Sequence, residues 1–198
     1  MKSFQKIYDS NAWGNNSDRA PVIAKQSPSG KFYMSMIKDI CEKYEIKSIL
    51  EVGCGNYELM KFNIDYYNEN QIHYLGTDIV ENNIVKNLKL YKTEYVDFKK
   101  LSDVSQIGFD LVIIKDVIQH YDTEEALDMI NTLIKNNKFV FCINGFKFSR
   151  DKTKNNWTVR VLDKKYRYHP ISSEKELMIF KEFEKEKKTY KMKEYILY

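Results

Sequence analysis

The feature that most constrains this chain is the stretch Ser48-Ile49-Leu50-Glu51-Val52-Gly53-Cys54-Gly55-Asn56-Tyr57. Ser48 to Val52 reads as a short buried strand, and Gly53 to Gly55 as the turn leaving it. A glycine there admits a positive φ and lets a ligand approach the backbone without meeting a Cβ. The pattern then repeats. Residues 56–70 are expected to form a helix, His73 to Asp78 a second strand ending in an acid, and Glu81 to Leu90 a helix. Glu94 to Phe98 is a third short strand, and Phe109 to Lys115 a fourth, apolar enough to be buried on both faces. Thr123 precedes a helix through Ile134, capped by Thr123 or Asp122, and Phe139 to Ile143 is a fifth strand. Strands alternating with helices predict βαβ units, hence a mostly parallel sheet with helices on both faces.

The ends of the chain depart from that alternation. Residues 1–30 are expected to form an ordered cap or lid, with a short helix to about Ser10 and turn chemistry at Gly14–Asp18 and Ser27–Gly30. Lys31 to Tyr44 follows as a helix with Phe32, Met36, Ile37, Ile40 and Cys41 on its apolar face. Residues 145–170 form a basic, aromatic insertion without clear periodicity. Leu177 to Phe180 and Tyr190 to Tyr198 read as closing strands separated by Glu184–Lys188. The whole chain, 1–198, is expected to be a single domain.

Composition narrows the class. Hydrophobic content of 43% with 30% charged residues suits a soluble globular protein. No apolar run approaches a membrane span, and no signal-peptide pattern stands at the amino terminus. Cys41, Cys54 and Cys142 are odd in number and far apart, so neither a disulfide framework nor a zinc site is suggested. A cytoplasmic, reducing setting is expected, with no metal and no membrane partner. Charge is uneven: residues 145–198 carry 15 Lys/Arg against 8 Asp/Glu, whereas residues 1–144 carry 17 against 20. The split suits an anionic partner for the carboxy-terminal part, but composition alone favours a lysine-rich solvated surface.

In sheets of this architecture ligands bind at the carboxyl ends of the strands. Glu51, Asp78 and Asp97 stand at such ends, and Lys115-Asp116 follows the fourth strand with His120 four residues on. An acid at a strand end also serves as a helix cap or a turn residue; three of them after Gly-x-Gly favour a ligand site. On a helix, Asp116 and His120 would share a face, so that the acid orients an imidazole able to take a proton. The other reading has His120 packed under the cap and Asp116 capping the next helix.

An acid at a strand end, then Gly-x-Gly, then Asp78 closing the next strand, resembles motif I and its sequel in the class I S-adenosylmethionine-dependent methyltransferases. The related dinucleotide fingerprint needs a third glycine or alanine where this chain has Glu58. The resemblance implies a Rossmann-like fold of seven strands with a C-terminal antiparallel hairpin, and S-adenosylmethionine as cofactor. Gly53 and Gly55 would pass under its methionine part, and Glu51 would lie near its amino group. Asp78 would accept the ribose hydroxyls, Asp97 the adenine amino group, with Phe98 near the ring. Lys115 would face the cofactor as well. Ile7-Tyr8, Asn11-Ala12-Trp13-Gly14, Lys115-Asp116 with His120, and Asn156-Trp157 before a basic segment are similar to a short bacterial and viral subgroup associated with glycan loci. There the usual early Ser-Gly-x-Gly-Ser is replaced by Ser27-Pro28-Ser29-Gly30.

The expected activity is therefore methyl transfer to a small anionic or glycan acceptor, with a hydroxyl of a nucleotide-linked sugar preferred. Asp116 and His120 are the catalytic candidates. Trp13, Trp157, Arg160, Arg167 and His169 are the substrate-side candidates, the cations for a diphosphate and the rings for stacking. RNA is the alternative acceptor, since it too is held by basic grooves and stacking platforms. A methyltransferase-fold binding subunit without catalysis is the alternative outside enzymes.

Overall fold

A computed structural model describes residues 28–57, 59–118, 121, 123–149, 178–186 and 189–198. The expected cap lies outside these residues up to position 27, and so does the insertion from position 150 onward. The chain groups into two compact units, residues 1–105 and 106–198.

The first unit begins with helix α1, Pro28–Lys43. Pro28, Ser29 and Gly30 are its first turn, not the separate turn expected from the sequence. Proline is favoured there because the first helical N–H needs no partner inside the helix. Tyr33, Met36, Ile37, Ile40 and Cys41 are buried, which is the i, i+3, i+4, i+7, i+8 stripe of a core-facing helix. Glu45 ends the helix in the left-handed region at φ 52°, and the Ile46 N–H reaches back to the Cys41 carbonyl at 3.0 Å. Strand β1, Ser48–Val52, follows at once and is buried from Ile49 to Val52.

Residues 56–70 do not form the single helix expected. A 3₁₀ turn, Met60–Asn63, leads into a short helix α2, Ile64–Glu69. Tyr57 has a φ of 59°, which no helix tolerates, and Asn63 at φ −102°, ψ 3° interrupts the winding again. Strand β2, His73–Asp78, has the bounds the sequence predicts. Helix α3, Glu81–Tyr91, buries Asn83, Ile84 and Asn87 and exposes Val85 and Leu90. Strand β3 is Val96–Lys100, two residues later than expected. The Thr93 hydroxyl oxygen accepts the N–H groups of Tyr95 (3.3 Å) and Val96 (3.1 Å), holding Thr93–Tyr95 in a turn that delays the strand. In this unit β1 pairs with β2 and β2 with β3, both parallel.

In the second unit, strand β4, Leu111–Lys115, is buried from Leu111 to Ile114 and pairs in parallel with β5. Helix α4, Thr123–Asn136, buries Ala126, Ile130 and Leu133. Asn137 closes it: its amide donates to the Leu133 and Gln106 carbonyls, each at 3.0 Å, and its side-chain oxygen accepts the Phe109 N–H at 3.0 Å. Strand β5, Phe139–Ser149, runs beyond the expected Ile143 into the basic stretch. The extension is held by β7, Thr189–Leu197, with Asn144 opposite Glu194 and Ser149 opposite Thr189. Strand β6, Met178–Glu186, pairs with β7 antiparallel. Five strands thus make parallel pairs, three in the first unit and two in the second. Among the described residues no helix is long and apolar enough to cross a membrane.

Candidate functional site

The site expected from the sequence centres on the first unit, where β1 ends in the glycine turn. The parallel register sets Val52 beside Thr77, so the turn leaves β1 at the level where β2 reaches Asp78. Gly53, Gly55 and Tyr57 all have positive φ, at 79°, 55° and 59°. The first two cost little because glycine has no Cβ; Tyr57 is a bulky side chain held in a rare conformation.

Hydrogen bonds hold this turn from below. The Gly53 and Cys54 N–H groups both donate to the Thr77 carbonyl, at 2.8 and 2.9 Å. The Gly55 N–H donates to Asp78 Oδ2 at 2.9 Å, while Asp78 Oδ1 accepts the Val80 N–H at 2.7 Å. From α3, Asn87 Nδ2 donates to the Gly55 carbonyl at 2.8 Å. The Thr77 hydroxyl donates to the Glu51 carbonyl at 2.9 Å, and the Tyr74 hydroxyl donates to Glu51 Oε2. Glu51 and Asp78 are both buried.

Two carboxylates in so little space shape the local electrostatics. Burial pushes the Asp78 carboxyl above its usual value of 3.8, while the N–H groups of Val80, Gly55 and Ile79 and the Asn83 amide pull the other way. Burial also pushes the Cys54 thiol well up, and the charges of Glu51 and Asp78 add to the shift. A thiol raised in this way stays protonated near neutral pH, where it is a poor nucleophile.

Aromatic rings fill the space beneath. Tyr57 meets Phe98 edge-on at 4.8 Å and lies 5.2 Å from Tyr74, which stacks on Tyr67 at 5.3 Å. Gly76 permits this: a Cβ there would stand 2.7 Å from Phe98 Cδ1 and 3.1 Å from Cys54 Sγ.

The placement corrects several expectations. Asp97 does not end β3 but is its second residue, level with Leu75; Lys100 stands level with Asp78. The Asp97 carboxylate accepts its neighbour's N–H, from Phe98, at 2.9 Å and pairs with Lys92 at 3.0 Å. Phe98 is buried in the aromatic cluster, so its ring is a core element and not a surface beside an adenine. In the second unit Asp116 has a φ of 56° and follows β4 outside any helix, so it does not stand on the helix expected there. Its N–H donates to the Ile143 carbonyl at 2.9 Å, and its carboxylate pairs with Lys115 at 2.6 Å. His120, Trp13, Trp157, Arg160, Arg167 and His169 lie outside the described residues.

The sequence reading missed Tyr74, Asn83 and Asn87. The asparagines carried a signal: they sit four apart in an expected helix, flanking Ile84 on the face that has to be buried. Tyr74 carried none, because its partner Glu51 is 23 residues away.

No family model matches this sequence. Two curated proteins named small RNA 2′-O-methyltransferase are similar to it. The mouse protein is 25% identical over 132 residues, covering 57% of this chain and 32% of the relative. The rat protein is 25% identical over 122 residues, covering 52% and 30%. The chain thus spans about a third of the length of these relatives. Among solved structures, magnesium protoporphyrin IX methyltransferase from Synechocystis PCC 6803, with bound S-adenosylhomocysteine (SAH), aligns at a TM-score of 0.53 with 17% identity. That alignment covers 85% of this chain and 83% of the other. The methyltransferase domain of bacterial CtHen1 aligns at 0.51 with 12% identity, over 82% and 96%. The fold is therefore Rossmann-like and of the methyltransferase type.

Proposed function

We propose that this chain is an S-adenosylmethionine-dependent methyltransferase whose acceptor is a ribose hydroxyl of RNA. The observation that carries the acceptor is the similarity to small RNA 2′-O-methyltransferases over more than half of the chain. The cofactor reading rests on the donor set. Gly53 and Gly55 present bare backbone at the end of β1, Glu51 offers a carboxylate for an ammonium group, and Asp78 offers one for ribose hydroxyls. The resemblance to motif I and the methyltransferase fold point the same way. A continuous seven-stranded sheet closed by the β6–β7 hairpin, in one domain over 1–198, belongs to this reading.

Methyl transfer from a sulfonium is an in-line displacement: an oxygen–carbon bond forms as the carbon–sulfur bond breaks, and the acceptor loses its proton. The protein has mainly to hold oxygen and methyl at near-attack distance. We assign the proton to His120. Asp116, at the end of β4 with a left-handed backbone, pairs with Lys115 and neutralises its ammonium. Trp13, Trp157, Arg160, Arg167 and His169 remain the substrate-side candidates, suited to bases and phosphates.

Both curated relatives are named for RNA and neither for a nucleotide-linked sugar, the acceptor first expected, so RNA is preferred. The test offers the purified protein methyl-labelled cofactor with either short single-stranded RNA or nucleotide sugars. Label is expected in RNA, at a position that then resists alkaline cleavage because its 2′ oxygen can no longer attack the neighbouring phosphodiester. Label in nucleotide sugars alone would overturn the RNA assignment, and no transfer to either would overturn the enzyme.

A further inference from the structure

We propose that Asn87 is a positioning residue of the cofactor turn, presetting the Gly55 peptide before any cofactor arrives; this rests on the S-adenosylmethionine reading above. Helix α3 has an ordinary solvent face, with Val85 and Leu90 exposed, yet its inner face carries the polar pair Asn83 and Asn87 beside Ile84. Asn87 is fully buried. Its Nδ2 donates to the Gly55 carbonyl at 2.8 Å and lies 3.9 Å from Cys54 Sγ, while its Oδ1 has no hydrogen-bond partner among the described residues. Burying an amide with one end unsatisfied is unfavourable, and a leucine would fill the same space without an orphaned acceptor. What the asparagine contributes is its donor, given to the Gly55 carbonyl with a longer bond to the Cys54 sulfur.

That bond matters because of where it lands. Glycine at φ 55° has no Cβ to bias it, so Gly55 has little conformational preference of its own. Three side chains grip its residue instead: Asp78 takes the N–H at 2.9 Å, Asn87 holds the C=O at 2.8 Å, and the Cys54 thiol donates to the same carbonyl at 3.7 Å. Without Asn87 only the long, weak thiol bond restrains the following peptide plane, and the bond that orients the Asp78 carboxylate loosens with it. Helix α3 thus supports from behind the residues that would meet the cofactor in front, without touching it.

The test compares Asn87→Leu, which keeps the packing and removes the donor, with Asn87→Asp, which sets an acceptor against an acceptor. SAH affinity is read by calorimetry, and KM and kcat by methyl transfer. Both variants are expected to raise the Kd for SAH and the KM for S-adenosylmethionine at least fivefold, with kcat at saturation within twofold of wild type. Asn63→Leu is the control, a buried asparagine of the same unit, and is expected to lower stability and leave SAH affinity unchanged. A smaller rise in Kd in either folded variant, an equal loss in the control, or a fall in kcat at constant KM overturns the proposal. Should both Asn87 variants fail to fold, the side-chain amide signals of Asn87 in the wild type decide by NMR. Slow solvent exchange without SAH, and a shift on adding it, are expected; free exchange overturns the proposal. If the wild type itself does not bind SAH, the cofactor reading falls and takes this proposal with it. A binding wild type with unaffected variants sinks this proposal alone.

Discussion

Replacing Asp78 by asparagine separates its two tasks more cleanly than alanine would. The carboxylate accepts two backbone N–H groups, from Gly55 at 2.9 Å and Val80 at 2.7 Å, in a place where only 6% of the residue is exposed. Alanine orphans both donors. At about 1–3 kcal/mol for each unsatisfied buried group the loss is roughly 2–6 kcal/mol, a large part of a domain's stability. The amide introduced by Asp78→Asn would keep one oxygen for one donor and turn an NH₂ toward the other, so the expected loss is about 1–3 kcal/mol and the protein stays folded. The cofactor term adds to this. Hydrogen bonds to a charged group contribute about 1.5–3 kcal/mol each and neutral ones about half of that, so two ribose contacts should weaken by about 2 kcal/mol in total. That is roughly 30-fold in Kd. Calorimetry with SAH measures the second quantity and urea denaturation the first. An Asp78→Asn protein that loses stability as expected but binds SAH within threefold of wild type would refute the ribose assignment.

Three further outcomes are expected. Gly76→Ala forces a Cβ to 2.7 Å from the buried Phe98 ring and should cost about 1–3 kcal/mol in urea denaturation; a change under about 0.5 kcal/mol would mean that the ring has room to move. Because burial raises the Asp78 pKa in the folded state, its protonation favours folding: the stability of wild type minus that of Asp78→Asn should fall as pH rises from 3.8 through the raised value, then level off. SAH affinity should climb over the same window, since the ionised carboxylate is the better acceptor, and a flat profile would remove Asp78 from the site. At pH 8 iodoacetamide should label Cys41, whose thiol is pushed up to about 12, and Cys54 far more slowly in native protein than in urea. Mass spectrometry after timed quenching reads this, and equal rates would contradict the raised pKa of both thiols.

What could be read from the residues alone was whatever depends on near neighbours. The bounds of β2 were legible because an apolar run ends in Asp78, and the turn because Gly53 and Gly55 flank one residue. The late start of β3 was not, since the Thr93 hydroxyl decides it by capturing two N–H groups that would otherwise join the strand. Nor was the length of β5 past Ile143, because its partner β7 enters the sequence some forty residues later. The backbone at Asp116 was not legible either, since nothing local announces the left-handed residue that follows β4. Asn87 shows the general case: its neighbours announce a helix, but its partner Gly55 lies 32 residues away. A side chain that serves a distant backbone atom leaves only a polar residue on the wrong face as a trace.

The hydrogen bonds of the glycine turn also say what it would refuse. Loops that hold phosphate aim free backbone N–H groups at the anion. Here Gly53 and Cys54 have given theirs to Thr77, Gly55 has given its own to Asp78, and the Tyr57 N–H turns back to the Cys54 carbonyl at 3.1 Å. A pyrophosphate over this turn would find none of those four donors and would lie close to the carboxylates of Asp78 and Glu51. The same Gly-x-Gly spelling that elsewhere accommodates a dinucleotide is here wired against one. ATP and the nicotinamide dinucleotides, though they share the adenosine, should be turned away at the backbone.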